Sequence, residues 1–191
     1  MILPVIAYGD PVLKKKAEEI KKNHPRLPEI IADMFETMYN AKGVGLAAPQ
    51  IGLSIRLFVV DAAPFAEDNE ELKDFKRVFI NAHLVKEEGN KWKFNEGCLS
   101  IPGVREDVFR KPEIEIEYVD ENFVKQKEKF KGTAARIIQH EYDHIEGVLF
   151  TDRISAMRRQ LIRGSLKNIS IGDVDVDYKM RFPLKRGSAV K

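Results

Sequence analysis

HEYDH, at residues 140–144, is the stretch from which the rest of the chain can be interpreted. On an α-helix His140 and His144 lie one turn apart on the same face, so their neutral imidazoles can bind one divalent metal ion. Glu141 then lies close enough to act as a general base on a water at that metal. The preceding turns are apolar, and Gly147 follows. The pattern therefore predicts a buried, metal-binding helix over residues 133–146.

Two histidines leave such a site incomplete, because a catalytic metal usually takes three protein ligands and keeps one position open. No histidine follows His144 and the only later glutamate is Glu146, which is too near in sequence to be a distant third ligand. Asp152 remains an option. Cys98, the only cysteine, is the better candidate, since a thiolate with two imidazoles suits Fe²⁺, Zn²⁺ or Co²⁺. A lone cysteine is also a common core residue, so burial alone is the alternative.

Hydrophobic periodicity outside this helix favours an α+β fold. Residues 28–41 have the apolar spacing of an amphipathic helix. Residues 55–60 and 78–85 read as strands, and 114–119 with 123–130 read as a hairpin. We therefore predict antiparallel β-strands packed around a central HExxH helix, with an N-terminal helix and a C-terminal helix plus a short strand or tail.

In the predicted hairpin, alternating glutamates face alternating lysines. The turn is expected at residues 120–122, which pairs Glu113 with Lys129, Glu115 with Lys127 and Glu117 with Lys125. These pairs are expected to set the strand register rather than to take part in catalysis.

The C-terminal part of the chain is basic and less regular. A helix is expected to start after a Ser155 cap and to fade near Gly164, and residues 169–178 alternate like a strand. We read residues 1–191 as a single catalytic domain, with 169–191 forming a C-terminal strand and flexible tail. Short-peptide turnover should not need residues 169–191 if that stretch serves docking or edge protection.

Composition narrows the setting. The chain has 191 residues, 43% of them hydrophobic, and a formal net charge of +2, so overall charge gives no sign of a nucleic-acid partner. No apolar run approaches the ~20 residues that a membrane-spanning helix needs. One cysteine and no signal-peptide pattern indicate a reducing, cytoplasmic location. We expect neither a membrane nor a DNA partner.

Three motifs together resemble a known family. GVGLAAPQ (43–50), EGCLS (96–100) and HEYDH (140–144) look like the signature motifs of peptide deformylase, in the same order. YGDPVL (8–13) and EGVLFTDRIS (146–155) extend the resemblance to about residues 3–155. It implies a bacterial-type hydrolase that removes the formyl group from the N-terminal formylmethionine of newly synthesised polypeptides.

The resemblance also implies a metal site and its chemistry. The metal ligands would be Cys98, His140 and His144. The ion would be Fe²⁺ in the cell, with Zn²⁺, Ni²⁺ or Co²⁺ able to replace it in isolated protein. A metal-bound hydroxide would attack the formyl carbon, with Glu141 as the general base and acid.

The remaining implied residues bind the substrate. Gln50 would donate its side-chain amide, and Leu99 its backbone N–H, to the formyl oxygen. Gly45 would hydrogen-bond the substrate backbone. The candidate pocket residues are Val44, Phe94, Arg105 and Ile137. Glu96 is either an orienting group or a polar neighbour.

Three regions depart from the pattern of the family. The acidic stretch 63–74 looks like an insertion relative to compact bacterial members. Arg136 stands at the expected pocket edge, where its stem could pack while its charged head reaches water. The basic C-terminal region, including Arg158, Arg159, Arg163 and Lys167, is expected to make a transient ribosome contact.

Two other functions were weighed. An HExxH metallopeptidase would use the same helix, but the missing downstream ligand and the EGCLS motif disfavour it. A non-catalytic, metal-stabilised RNA-associated protein would use the three ligands as a structural site. Such a site needs neither Glu141 nor Gln50, so both residues favour the enzyme.

Overall fold

The structure, a computed structural model, describes residues 1–67 and 69–183. These residues contain nine strands and four α-helices, together with short 3₁₀ helices. The strands are β1 (Val5–Ile6), β2 (Gly45–Ala47), β3 (Leu57–Asp61), β4 (Lys76–Glu88), β5 (Trp92–Cys98), β6 (Ile101–Arg110), β7 (Glu113–Val119), β8 (Lys125–Lys131) and β9 (Met180–Arg181). The helices are α1 (Leu27–Asn40), α2 (Gly132–Ile145), α3 (Ala156–Leu161) and α4 (Arg163–Ile171).

The main sheet is antiparallel and has the strand order β2-β3-β4-β7-β8. Its strand β3 is apolar on both faces because both are covered. Phe58 and Val60 belong to the core cluster that contains α2. Leu57 and Val59 belong to the cluster that contains α1. Full burial of one such side chain is worth about 1.5–3 kcal/mol, so this strand anchors both layers.

Helix α2 carries HEYDH and lies against the sheet, as the sequence predicts. It runs from Gly132 to Ile145, one residue displaced from the predicted range. Ala135 and Ile138 are fully buried in the sheet-facing core. The polar residues of this helix are also largely buried, which places ionisable groups inside the molecule. This arrangement confirms the α+β fold with a central HExxH helix.

A second layer forms around the β5–β6 hairpin. Its core combines residues of β6, the N-terminal segment and the C-terminal helices, among them Ile6, Val108, Phe150 and Leu166. Strands β1 and β9 pair in parallel and join the two ends of the described chain. No helix within the described residues is long and apolar enough to cross a membrane.

The β7–β8 hairpin forms with a register two residues away from the prediction. Glu113, Glu115 and Glu117 pair with Lys131, Lys129 and Lys127. The turn is longer than expected because the Asp120 side chain accepts the backbone N–H groups of Asn122 and Val124. Strand β8 therefore begins at Lys125, and the Glu–Lys pairing itself is retained.

The C-terminal region differs from the prediction in two ways. Ser155 caps α3 as expected, but the helix breaks at Ile162 and Gly164 lies inside α4. Residues 169–171 end that helix instead of starting a strand, and the only C-terminal strand among the described residues is β9. The predicted flexible tail falls partly on residues 184–191, which lie outside the described residues.

Candidate active site

Cys98, His140 and His144 converge at one point between the β5–β6 hairpin and α2. Their ligand atoms all lie within 4.8 Å of one another. The Cys98 Sγ is 3.3 Å from the His144 Nε2, and the two imidazole rings are 5.1 Å apart. Cys98 is the last residue of β5, and the pairing of β5 with β6 shifts register between Gly97 and Cys98. The structure thus brings together the three residues predicted as ligands.

Glu96 holds His140 from behind. Its Oε2 lies 2.9 Å from the His140 Nδ1, which leaves the other ring nitrogen for a metal. Arg110 binds both oxygens of the same carboxylate, at 2.7 and 2.9 Å. Burial opposes the charged form, but hydrogen bonds from Arg110 and His140 outweigh it and hold the pKa of Glu96 well below its usual range. The sequence left Glu96 as either an orienting group or a polar neighbour, and these contacts fit an orienting group.

Glu96 is part of a buried network of charged side chains that the sequence patterns did not predict. Arg110 also donates to the Asp143 carboxylate, 2.7 Å away on α2. Arg136 donates to Glu96 and to the Val108 carbonyl. The charged head of Arg136 does not reach water, because only 2% of the side chain is exposed and it lies over Trp92. The network ties β5 and β6 to α2 behind the ligands.

We expect Glu96→Gln to lower metal affinity about 10–100-fold, because the orienting partner of a ligand is weakened. Losing the charge also leaves Arg110 and Arg136 under-compensated, so the free energy of unfolding should fall by about 3–5 kcal/mol. Glu106→Gln is the matched control. Glu106 is equally buried and pairs with Arg158, so this variant should lose stability with unchanged metal affinity. Chelator competition and thermal unfolding measure the two effects, and equal metal affinity in both variants would contradict the assignment.

Glu141 is buried beside the ligands, with 4% of the residue exposed. Its Oε2 has no hydrogen-bond partner among the described residues. Burial raises the pKa of Glu141 to about 7, against the opposing charge of His140. A buried carboxylate with a free oxygen beside a metal site has the properties required of a proton carrier.

Gly45 gives Glu141 the space it occupies. A Cβ on Gly45 would lie 2.3 Å from the Glu141 Oε1, far inside van der Waals contact. Gly45 is also the first residue of β2, an edge strand of the main sheet. The same residue therefore admits the carboxylate and leaves backbone accessible to an extended peptide.

We expect Gly45→Ala to reduce kcat/KM at least about tenfold, because overpacking of about 1–3 kcal/mol must displace Glu141. Gly103→Ala is a useful control for glycine replacement at the cavity. Nothing lies within 4 Å of a Cβ at Gly103, although its φ of +73° adds strain. Turnover by Gly45→Ala equal to that of the wild type would show that Glu141 can move without cost.

Gln50 points its amide nitrogen at the metal-ligand cluster. Its Oε1 accepts the Ala47 N–H at 2.8 Å, which fixes the orientation of the side chain. Its Nε2 then lies 3.4 Å from the Cys98 Sγ and 3.3 Å from the Ser100 Oγ. Leu99 follows the cysteine in the same loop and lines the same cavity. Gln50 and Leu99 thus both lie beside the predicted ligands, and their roles as donors stay a prediction.

A cavity of about 920 Å³ opens over these groups. All four predicted pocket residues line it: Val44, Phe94, Arg105 and Ile137. The Arg105 guanidinium donates to the side-chain oxygen of Asn95 at 2.8 Å and to the backbone carbonyl of Asn95 at 2.6 Å. Apolar walls with a few polar groups are typical of a small-molecule or peptide pocket.

Four parts of the cavity wall were not predicted, and the last of them is residues 101–104 at the start of β6. Phe65 comes from the acidic stretch, in which Ala63–Phe65 and Glu70–Leu72 form short 3₁₀ helices. Lys42 comes from the turn after α1. The third part, Asp175 to Tyr178, comes from the C-terminal region. The expectation that short-peptide turnover does not need residues 169–191 stays a prediction, although four of those residues line the cavity. Only long-range packing could reveal these contacts.

The donor set fits a catalytic divalent metal. It offers one thiolate and two imidazoles and no fourth protein ligand within the described cluster, as expected of a site that keeps a position open. The His140 tautomer is set by Glu96, and the Glu141 carboxylate has an unpartnered oxygen close by. Fold and site together define a metal-dependent hydrolase with a peptide-sized cleft.

Comparison with known proteins agrees with this class. The family model described as polypeptide deformylase matches residues 2–160. A peptide deformylase of Christiangramia forsetii is 60% identical over 190 residues, covering 96% of this chain and 97% of that protein. One from Flavobacterium psychrophilum is 59% identical, covering 97% and 100%.

A solved structure agrees with these sequence relatives. The crystal structure of a peptide deformylase from Legionella pneumophila superimposes with a TM-score of 0.78 at 36% identity, covering 88% of this chain and 95% of that one. The chain belongs to the polypeptide deformylase family, whose metal-dependent members act on the formylated ends of new polypeptides.

Proposed function

We propose that the cavity over Cys98, His140 and His144 is where this chain removes the formyl group from N-formylmethionyl peptides. One observation carries the proposal. One cavity is lined by Cys98 and His140 of the ligand cluster and by Gln50 and Glu141, and the Glu141 Oε2 has no hydrogen-bond partner among the described residues. A closed structural metal site needs neither the amide nor the carboxylate.

Cys98, His140 and His144 are proposed to hold a single divalent ion, Fe²⁺ in the cell, with Zn²⁺, Ni²⁺ or Co²⁺ able to replace it. A mixed thiolate and imidazole set suits all of these ions. When bound, such an ion supplies Lewis acidity, which polarises a carbonyl and makes water a nucleophile at neutral pH.

Glu141 is proposed to move the proton. It accepts a proton from the attacking water and returns it to the leaving amine, so one carboxylate serves as base and then acid. Its burial keeps bulk water from competing, and Gly45 leaves room for it at the cavity floor. The contact with the Gly45 backbone also places this carboxylate next to the strand on which the peptide would lie.

Gln50 and Leu99 are proposed to stabilise the negative oxygen that develops on the formyl group. The bond from Ala47 to the Gln50 Oε1 means that the amide must present its N–H groups to the cavity side. The Leu99 backbone N–H would be the second donor. Loss of one such donor typically costs about 3–4 kcal/mol of transition-state stabilisation.

The substrate peptide is proposed to bind as an added strand. The edge strand β2 offers the Gly45 backbone, and an extended peptide can pair with such an edge. The methionine side chain would then enter the apolar part of the cavity, with Val44, Phe94 and Ile137 as walls. Arg105, held by Asn95, would lie near the peptide backbone.

Release of formate from a formyl-Met tripeptide tests this function. The metal-loaded protein should release formate and free the peptide amine, while the N-acetyl analogue serves as the matched control and should be turned over far more slowly. Absence of formate release from protein with a full metal complement would refute the proposal. Cleavage of internal peptide bonds would instead favour a metallopeptidase.

The cellular setting is also part of the proposal. We place the protein in the cytoplasm, as one catalytic domain acting on nascent chains, with a transient ribosome contact through the basic C-terminal region. In that region Arg158 is paired with Glu106, and Arg159 donates to the Thr151 and Asp152 carbonyls. Arg163 and Lys167 are exposed on α4 and are the better phosphate contacts.

A further inference from the structure

A C-terminal segment crosses the rim of the active-site cavity. Residues 172–181, here called the strap, leave the end of α4 and finish in β9 beside β1. The strap is fixed at both ends, by the bond from Asp173 N to the Asn168 carbonyl and by the bond from Val5 N to the Lys179 carbonyl, each 2.9 Å. It lies beyond residue 160, where the match to the family model ends.

Side chains alternate along the strap. Val174 and Met180 pack on the core of the second layer, while Val176 and Tyr178 line the cavity. The intervening aspartates are exposed, and Asp175 and Asp177 also border the cavity. The period-2 pattern that resembles a strand therefore reflects one face turned towards the core and the cavity, without a strand partner over most of its length.

Tyr178 reaches the loop that carries the catalytic groups. Its hydroxyl donates to the Leu99 carbonyl at 2.7 Å. The next carbonyl, that of Ser100, accepts the Tyr8 N–H at 2.8 Å. Two consecutive peptide units after Cys98 are thus held from outside the loop, and Tyr178 holds the one that contains the Leu99 carbonyl.

A second contact fastens the strap across the rim. Asp177 forms an ion pair with Lys42, which lines the cavity from the turn after α1. Both side chains are exposed, so this pair contributes little to stability. It does join the strap to the segment that leads into β2 and Gly45. The strap therefore touches both sides of the proposed peptide-binding cleft.

We propose that Tyr178 is a positioning residue for the deformylase reaction, acting through its hydrogen bond to the Leu99 carbonyl. The Leu99 N–H belongs to the preceding peptide unit, which joins the fixed unit at the Leu99 Cα. Fixing the carbonyl therefore restrains the Leu99 backbone and, through it, the direction of the N–H. Donors that stabilise a developing oxyanion act best when they are held in place before the reaction. The inference rests on the proposed function, since it assigns Tyr178 to the same site.

The test is Tyr178→Phe in the full-length, metal-loaded protein with a formyl-Met tripeptide. Losing a donor outright costs about 10²–10³ in kcat, so losing only its restraint should lower kcat about tenfold. The KM should stay within about twofold, because the ground-state peptide contacts remain. In a ¹⁵N–¹H spectrum of the Zn²⁺-loaded protein, the Leu99 amide signal should shift or broaden.

Tyr118→Phe is the matched control. Like Tyr178→Phe, it removes a partly buried tyrosine hydroxyl that donates a hydrogen bond. The acceptor here is the carboxylate of Glu128, on the neighbouring strand of the main sheet. This variant should keep the wild-type kcat. A Tyr178→Phe enzyme with wild-type kcat and an unmoved Leu99 signal would overturn the inference. Failure of the wild type itself to release formate would instead overturn the proposed function.

Discussion

Glu141→Gln is expected to lower kcat for a formyl-Met peptide by about 10²–10⁴, the usual contribution of a positioned general base and acid. Glutamine has nearly the same shape, so it should occupy the buried space beside Gly45 without a clash. The amide cannot accept the water proton, so the chemical step fails while the ligands remain. The KM should change little, and bound metal should stay at the wild-type level.

Steady-state formate release and elemental analysis of the same sample check this result. Glu146→Gln is the control at the end of the same helix, which Glu146 caps. Glu146 pairs with Arg56 and Lys16 and takes no part in the proposed chemistry. It should lose stability but retain kcat. Undiminished turnover by the Glu141 variant would remove this residue as the proton carrier.

Cys98→Ser is expected to weaken metal binding by more than about a hundredfold. Removing a residue that merely orients a ligand costs about 10–100-fold in affinity, and removal of the ligand itself should exceed that range. The serine hydroxyl is nearly isosteric, so Gln50 and His144 should keep their positions. Turnover at low metal concentration should fall with metal content.

X-ray absorption on anaerobically prepared protein distinguishes a Cys98 that coordinates the metal from a Cys98 that only packs in the core. The wild type should show one sulfur and two imidazole nitrogens around the metal, and the serine variant should lose the sulfur. Oxidation of the same thiol should have a similar effect on activity, because oxidised sulfur is a poor ligand. Full metal content and full turnover in Cys98→Ser would show that Cys98 is a packed core residue instead.

Local sequence patterns predicted the centre of the site well. Imidazoles at i and i+4 must share a helix face, so His140 and His144 needed no tertiary information. Cys98 could be proposed because a catalytic metal needs a third ligand and few candidates were available. Gln50 and Leu99, in contrast, came only from the resemblance to a family, since their roles depend on a backbone arrangement that spacing does not encode.

The two main errors have different physical causes. The β7–β8 register depends on the five-residue turn that Asp120 stabilises, and propensities alone do not fix the length of such a turn. Arg136 looked like a residue with a solvated head, but Glu96 and Trp92 bury it. The partners of Arg136 are distant in sequence, whereas the turn is set by a local side-chain contact that the alternating pattern does not show.

The strap illustrates the same limit in a functional setting. An apolar–polar alternation indicates an extended segment with one covered face, but not what covers it. Val176 and Tyr178 on this face line the active-site cavity. The sequence alone gave no reason to connect Tyr178 with Leu99, which lies 79 residues earlier.

Formate release measured during metal titration of the apo protein tests the central claim most directly. Cys98, His140 and His144 form one site, so turnover of the formyl-Met tripeptide should rise linearly with added Fe²⁺ under anaerobic conditions and stop rising at one ion per chain. Turnover that is undiminished in the metal-free protein, or that reaches its plateau at a different ratio, would contradict a single catalytic metal held by these three residues.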